Sequence, residues 1–348
     1  MSDLLVYGAY GYTGDLVARA AVEAGLDPIL AGRRERPVSE QARELDLAYR
    51  AFPLDVAPRA VDDVAVVVNC AGPFVNTYEP LVEACVETGA HYVDVTGEVD
   101  VFEAVRGYDR AAREAGVTLL PGAGFDVVPT DCLANYLHDR LPGATHLTTA
   151  IDGLQTLSPG TTRTLVEVIE EGAFVREEGL LTPVPLGERT RSIDFGDGHG
   201  ERLTTLVPWG DVSTAYHSTG VPNVGVYAPT SRWGRRALAA VDALSPVLGT
   251  RPVKATLQRL AGAVVDGPTA RERETGTADV WGEVTDGEET ARARLVTPEP
   301  YAFTARAAVE IAIRVRDGAA PVGYQTPASA HGPGLATDLG ASEFEDLA

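Results

Sequence analysis

An apolar stretch at residues 4–7 runs directly into glycines at positions 8, 11 and 14 and then into a helical segment at 15–24. That order dictates a strand, a tight turn and a helix. Gly8 lets the chain reverse, Gly11 lets backbone amides approach a pyrophosphate without a Cβ in the way, and Gly14 lets the helix pack close to its strand. The unpaired amides at the helix start then face the phosphates, backed by roughly half a positive charge from the helix dipole.

Glycine spacing alone is weak evidence, since turns use glycine for steric reasons. Its context strengthens it. A second apolar strand, 28–31, ends at Gly32-Arg33-Arg34, about twenty residues beyond the turn, where an NAD enzyme places an acid on the ribose hydroxyls. No acid stands there. Guanidinium forks suit a phosphate monoester, so Arg33 and Arg34 point to the 2′-phosphate of NADP(H) rather than to two solvated surface arginines.

From the start to about residue 121, strand candidates at 4–7, 28–31, 49–52, 64–69, 91–95 and 117–120 alternate with helices at 15–24, 39–46, 78–88 and 101–115. This alternation predicts an α/β fold with a Rossmann-type parallel sheet. The unusual residues fall just after the strands, at the carboxyl edge where ligands bind: the glycine turn, Arg33, Asp55, Cys70-Ala71-Gly72-Pro73, Thr96-Gly97-Glu98 and Gly122–Asp126. Beyond Pro129 the pattern changes to a helix at 130–139 and irregularly spaced strands at 146–152, 203–207 and 224–227. A hairpin candidate follows at 277–284 and 289–296, around Asp286-Gly287. The expected domains are 1–125, an NADP-binding Rossmann domain; 126–316, an α+β substrate and dimerisation domain closed by a helix at 301–316; and 317–348, a segment returning to the first domain or partly disordered.

The chain has 348 residues, with 50 acidic against 29 basic residues and a net charge of -21. That length suits two domains, and the charge argues against a nucleic-acid partner. Lys254 is the sole lysine. An acidic, lysine-poor surface is the halophilic pattern, in which molar salt screens self-repulsion over about 3 Å. Cys70, Cys85 and Cys132 show no paired spacing, so neither a disulfide frame nor a metal site is expected. No apolar run approaches the roughly 18 residues of a membrane span and no leader is visible, which predicts a cytoplasmic location.

Three stretches together resemble the saccharopine-dehydrogenase-like oxidoreductases, especially the branch of the trans-acting enoyl reductases. They are Gly8-Ala9-Tyr10-Gly11-Tyr12-Thr13-Gly14, Tyr92-Val93-Asp94-Val95-Thr96-Gly97-Glu98 and Gly124-Phe125-Asp126-Val127-Val128-Pro129-Thr130-Asp131. Fainter echoes lie at residues 158–162, Trp209-Gly210-Asp211 and 324–328. The resemblance implies NADP(H), an N-terminal cofactor domain, and hydride transfer to a C=C bond of an apolar enoyl or isoprenoid-like substrate. The alternatives are the C=N bond of an amino-acid imine or a nonenzymatic NADP(H) sensor. An amino-acid substrate would require cationic groups in the cleft; Arg163, Arg191, Arg202 and Arg232 are scattered in the sequence.

With the strand-end positions, the resemblance implies that the backbone of Gly8, Tyr10, Gly11, Tyr12, Thr13 and Gly14 holds the pyrophosphate. Asp55 and Val56 are then placed at the adenine, and Cys70, Ala71, Gly72 and Pro73 at the inner ribose and nicotinamide, with Gly97 and Phe125 also at the cofactor edge. Asp94 and Asp55 suit turn formation equally well. Glu98 and Asp126 are the candidate proton donors, provided that burial raises the pKa of a carboxyl there. Against this, Asp126 is expected first of all to cap the helix after Pro129. Tyr10, Tyr12 and Tyr78 are further possible donors, and His217 and His331 are the histidines nearest a cleft by sequence. The Tyr-x-x-x-Lys pair of short-chain dehydrogenases is absent, because Thr250 stands four residues before Lys254, and no P-loop is present. The segment 231–248, with Trp233, Leu238, Val241, Leu244 and Val247 beside Arg232, Arg235 and Arg236, reads as a core or homodimer helix in preference to a membrane-surface helix.

Overall fold

The computed structural model describes residues 2–153, 158, 160, 162, 172–198, 200–248, 250, 253–254, 256–257 and 267–347. The chain forms two compact units: Met1–Phe125 with Tyr301–His331, and Asp126–Pro300 with Gly332–Ala348.

In the first unit the strands are β1 (Ser2–Tyr7), β2 (Ile29–Gly32), β3 (Tyr49–Ala51), β4 (Val64–Asn69), β5 (His91–Asp94) and β6 (Thr118–Leu120). A short strand from the tail, Gly323–Tyr324, joins them in a seven-stranded sheet in which it lies beside β6, followed by β5, β4, β1, β2 and β3. Every pairing is parallel. Strands this apolar belong in a sheet covered on both faces, and β2 and β4 are buried along most of their length. The chain order reverses between β1 and β4, which opens the crevice where such sheets bind ligands. Tyr7, Phe52, Val67, Leu81, Tyr92, Val101 and Leu119 are among the residues of its core.

Two boundaries differ from expectation. The helix expected at 101–115 is two helices, Val99–Arg106 and Asp109–Ala115. The amides of Gly107 and Tyr108 bond only three residues back, to Ala104 and Val105, which tightens and ends the first helix. The helix Pro300–Arg316, expected to close the second domain, groups with the first unit. Aromatic packing explains this: Tyr301 meets Tyr12 edge to face at 5.2 Å, and Phe303 meets Phe125 at 6.2 Å.

The tail divides as well. Gly323 and Gln325 donate to the carbonyls of Val117 and Leu119, extending the first sheet. Residues from Gly332 onward join the second unit, where Glu345–Leu347 pairs antiparallel with the strand Thr290–Pro298.

The second unit holds β7 (His146–Asp152), β8 (Ala173–Glu177), β9 (Leu180–Val184), β10 (Thr190–Asp194), β11 (Glu201–Leu206), β12 (Asn223–Pro229), β13 (Thr277–Thr285) and β14 (Thr290–Pro298). With Glu345–Leu347 they form a nine-stranded mixed sheet, in which β7 and β12 pair in parallel. The hairpin β13–β14 turns at the expected Asp286-Gly287: Asp286 Oδ1 accepts the Glu288 and Glu289 amides, and Gly287 has φ +100°. Leu133 and Leu137 of the helix Val128–Arg140 crowd the position of a Cβ on Gly282, so only glycine allows that helix to lie so close on β13. The helix Arg232–Leu248 packs Leu238 and Val241 on a small core of Ala173, Val175, Val184, Leu186 and Leu206, and its Trp233 is exposed. Among the described residues no helix is long and apolar enough to cross a membrane.

Candidate cofactor and proton-transfer site

The turn after β1 is built as its glycines require. Gly8 has φ +82°, and a Cβ there would come within 2.9 Å of Ala71. A Cβ on Gly14 would lie 2.2 Å from the Gly8 carbonyl oxygen. The helix Tyr12–Glu23 starts without a side-chain cap, so its first amides are not satisfied from within the protein by a capping side chain. Gln41, which has no sequence signature, fixes the turn from beneath: its Nε2 donates at 2.9 Å to the Ala9 carbonyl and at 2.9 Å to Asp15 Oδ1.

The turn meets two neighbouring strand ends. Tyr10 covers Gly32, where a Cβ would lie 2.5 Å from the ring, and Arg34 stacks over Tyr10 at 4.9 Å. Arg33 is exposed and makes no hydrogen bond or ion pair among the described residues. On the other side, the Gly8–Ala71 contact sets the turn against the Cys70–Pro73 bend, in which the Gly72–Pro73 peptide is cis. Cys70 is a free thiol that burial pushes up to about 12, which rules it out as a nucleophile near neutral pH.

Below that bend lies a polar network. Asn69, fully buried, accepts the Ala71 amide and donates to Thr77 Oγ1 and the Tyr92 hydroxyl. Tyr92 in turn donates to Asp94 Oδ2 at 2.8 Å. Asp94 Oδ1 accepts the Thr96 and Gly122 amides, each at 2.9 Å, tying the ends of β5 and β6 together. Burial raises its pKa to about 6, with those donors opposing the rise. Glu98 accepts the Phe74 amide on Oε1 and the Val75 amide on Oε2, both at 2.8 Å. With both oxygens engaged, it clamps the loop after Pro73. Thr96 Oγ1 accepts the Glu98 amide across Gly97 and sets that turn.

Phe125 is buried, and its amide donates to Thr304 Oγ1 at 2.9 Å. Asp55 and Val56 lie exposed in a single 3-10 turn, Leu54–Val56. The residues named from sequence at the ends of β1, β2 and β4 thus lie on neighbouring strands of one sheet. Sequence reasoning did not single out Gln41, Asn69 and Thr77, ordinary polar residues that only long-range contacts pick out.

In the second unit, Asp126 departs from its expected capping role. The helix Val128–Arg140 is capped by Val127 with no side-chain bond, and the Asp126 carboxyl makes no hydrogen bond among the described residues. Burial alone raises its pKa to about 6. Asp211, noticed in sequence only within Trp209-Gly210-Asp211, is raised by burial to about 7, with the charges of Asp126 and Asp131 adding to the rise. The arginines that would recognise substrate carboxylates are already paired: Arg191 with Glu283, and Arg202 with Asp152 and Asp197. Arg232 is exposed at the start of its helix, and Arg163, Pro159 and Thr161 lie outside the described residues. Burial holds the His331 imidazole down at about 4, and His217 packs its ring on Tyr216.

A βαβ sheet with a glycine-built turn at the strand-order reversal and a guanidinium pair one strand over defines a dinucleotide-binding unit. The family model for the saccharopine dehydrogenase NADP binding domain matches residues 4–120 and supports NADP(H) as the cofactor of this unit. Similar proteins include a human saccharopine dehydrogenase-like oxidoreductase, 29% identical over 180 residues, covering 45% of this chain and 41% of that protein. A Mycobacterium tuberculosis protein named among the trans-acting enoyl reductases is 33% identical over 159 residues, 42% of this chain and 38% of its own length. A Caenorhabditis elegans lipid droplet localized protein is 32% identical over 158 residues, 40% of this chain and 37% of its own. The matched region thus spans about two fifths of these relatives. In fold the chain is similar to an apo saccharopine dehydrogenase (L-Glu forming) from Saccharomyces cerevisiae, with a TM-score of 0.62, 12% identity and 100% of both chains covered.

Proposed function

We propose that the chain is an NADPH-dependent reductase that transfers hydride to a C=C bond of an apolar enoyl or isoprenoid-like substrate. NADPH supplies the hydride; the amides of the helix start at Tyr12, Thr13 and Gly14 receive its pyrophosphate; and Arg33 and Arg34 receive the 2′-phosphate. Asp126 supplies the proton. It is the carboxyl that burial holds partly protonated near neutral pH and that no hydrogen bond occupies. Glu98 acts as a positioning residue, holding the loop that follows Cys70–Pro73 against its two amide bonds.

The observation that favours an apolar acceptor over an amino-acid imine is the pairing of Arg191 and Arg202 with acids of their own unit. A substrate carboxylate would have to displace those acids from the guanidiniums that hold them. The relative named among the trans-acting enoyl reductases supports the same choice. We also place the protein in the cytoplasm, as a homodimer with a salt-tolerant acidic surface; light scattering after gel filtration reads the dimer directly.

The test is loss of reduced-nicotinamide absorbance when NADPH and protein meet enoyl thioesters, polyprenyl compounds, or imines formed from aldehydes and amino acids. Oxidation with the first two classes only is the expected result. Oxidation with the imines alone overturns the substrate class, and tight NADPH binding without oxidation by any acceptor makes the chain a sensor. Arg33→Ala and Arg34→Ala are each expected to weaken NADPH by roughly 10-fold or more while leaving NADH nearly unchanged, as read by fluorescence titration.

A further inference from the structure

Acidic residues take 50 of the 348 positions, yet between Asp211 and Asp266 the chain holds only one, Asp242. The same stretch carries six bases: Arg232, Arg235, Arg236, Arg251, Lys254 and Arg259. It is a basic island on a chain whose net charge is -21. The helix Arg232–Leu248 lies within this stretch, in the second unit. Its one acid is turned inward, where Asp242 Oδ1 accepts the Leu186 amide at 2.9 Å. Leu238 and Val241 face the same way, onto the small core around Val184 and Leu206.

The opposite face carries an apolar seam. Trp233, Ala237, Ala240, Leu244 and Val247 follow one another at steps of three or four residues, so they share one side of the helix, and all are exposed. Trp233 is 76% exposed, Leu244 55% and Val247 59%. At 1.5 Å per residue the seam runs for about 21 Å. Arg236 lies over the Trp233 ring, 5.0 Å from its centre. A contiguous apolar surface of this kind marks an interaction site.

Its occupant must accept apolar and cationic groups together. A second copy of the chain meets neither need. Elsewhere among the described residues the exposed large apolar side chains stand apart in the chain, at Val22, Tyr49, Val56, Val75, Leu180 and Val322, and no other helix gathers several on one side. Seam against seam would set two basic islands together, with no outward acid on either helix to neutralise them. A homodimer therefore forms through a different face. The interface of a bilayer supplies both needs: acyl chains for Trp233, Leu244 and Val247, and phosphates for the arginines beside them.

We propose that the helix Arg232–Leu248 docks the protein on an anionic lipid surface, lying flat with the seam from Trp233 to Val247 at the acyl boundary and its arginines on the headgroup phosphates. The contact is peripheral, because no helix among the described residues is long and apolar enough to cross a membrane. It does not rest on the reductase reading. Together with that reading, it brings the second unit to the phase in which apolar acceptors dissolve.

The experiment is flotation of the full chain with vesicles of phosphatidylcholine, alone or with about a third phosphatidylglycerol, in molar KCl, which screens the acidic remainder over about 3 Å. No NADPH or acceptor is added, so a failed reductase reading leaves the outcome intact. Recovery with the anionic vesicles is expected to exceed that with the neutral ones by about 5-fold or more. Absence of flotation, or equal flotation with both, overturns the proposal. Leu244→Glu combined with Val247→Glu is expected to cut binding by about 10-fold or more, since two apolar side chains leave the acyl boundary. Both sites are exposed, so the thermal midpoint of that variant should stay within about 2 °C of the wild type. Undiminished binding by the folded variant also overturns the proposal.

Tryptophan emission gives a readout that needs no charge substitution. The wild type is expected to shift to the blue on the anionic vesicles and Trp233→Phe is not, because the other two tryptophans, Trp209 and Trp281, stand off this helix. A shift that persists in W233F places the contact elsewhere, and the proposal falls. Light scattering separates the rival occupant: a wild-type dimer that the double glutamate variant makes monomeric, with no flotation of either, means that the seam joins two copies and not a lipid surface.

Discussion

Asp94 and Asp211 are both buried acids at the edge of a sheet or helix, and their surroundings are opposite. Asp94 receives three donors, from the Thr96 and Gly122 amides and the Tyr92 hydroxyl, and uses its oxygens to join two strand ends. Asp211 accepts from Thr130 on Oδ1, and its Oδ2 has no side-chain partner among the described residues. Both are raised by burial, to about 6 and about 7. The cause is shared, but the opposition is not: three donors from two strand ends and Tyr92 oppose the rise at Asp94, whereas at Asp211 the Thr130 hydroxyl is the side-chain donor that opposes it. Asp126 goes further, with no hydrogen bond on its carboxyl among the described residues, and Glu98 resembles Asp94 in having both oxygens taken.

The sharpest way to break this comparison is Asp94→Ala. It strips the acceptor from three buried donors and is expected to cost about 3 kcal/mol, read from urea unfolding. A loss below about 1 kcal/mol would show that the network adjusts and that Asp94 is not structural. Glu98→Gln comes next, at about 1–2 kcal/mol, because an NH2 group must then face one of two amide donors. It should also weaken NADPH several-fold by releasing the Cys70–Pro73 bend, and unchanged affinity would separate the clamp from the cofactor.

Asp126→Asn should change stability by less than about 1 kcal/mol at pH 5, since no side-chain hydrogen bond is lost. Its folded pKa lies above the unfolded one, so its contribution to stability falls as pH rises from roughly 4 towards 6. The variant should flatten that part of the thermal profile and remove a pH-rate limb near about 6. A limb that survives would put the proton donor elsewhere. The smallest effect per group belongs to the exposed acids: with a net charge of -21, the thermal midpoint should rise by a few degrees from dilute buffer to molar KCl. An unchanged midpoint would remove the halophilic reading and leave the buried acids untouched.

Legibility followed the range of the forces involved. The glycines at 8, 11 and 14 are dictated by close approaches within a few residues or to the next strand, so their pattern is visible in sequence. The same holds for Arg33 and Arg34, which a strand end and a missing acid bring into view. Asp126 carried a local signal that misled: a carboxylate just before a helix reads as a cap, yet Val127 takes that position. The partition of the tail was likewise invisible, because a Gly323–Tyr324 strand and a Glu345–Leu347 strand are set by the sheet edges they find, not by their own few residues.

By itself, the sequence determined the parallel sheet, the glycine-built turn after its first strand and the NADP(H) cofactor, because each rests on backbone sterics and on local strand-end chemistry. Tertiary structure alone decided which buried acids are anchored by several donors and which are not. Desolvation and hydrogen-bond partners come from residues tens of positions apart, such as Thr130 with Asp211 and Phe74 with Glu98, and no local pattern records them.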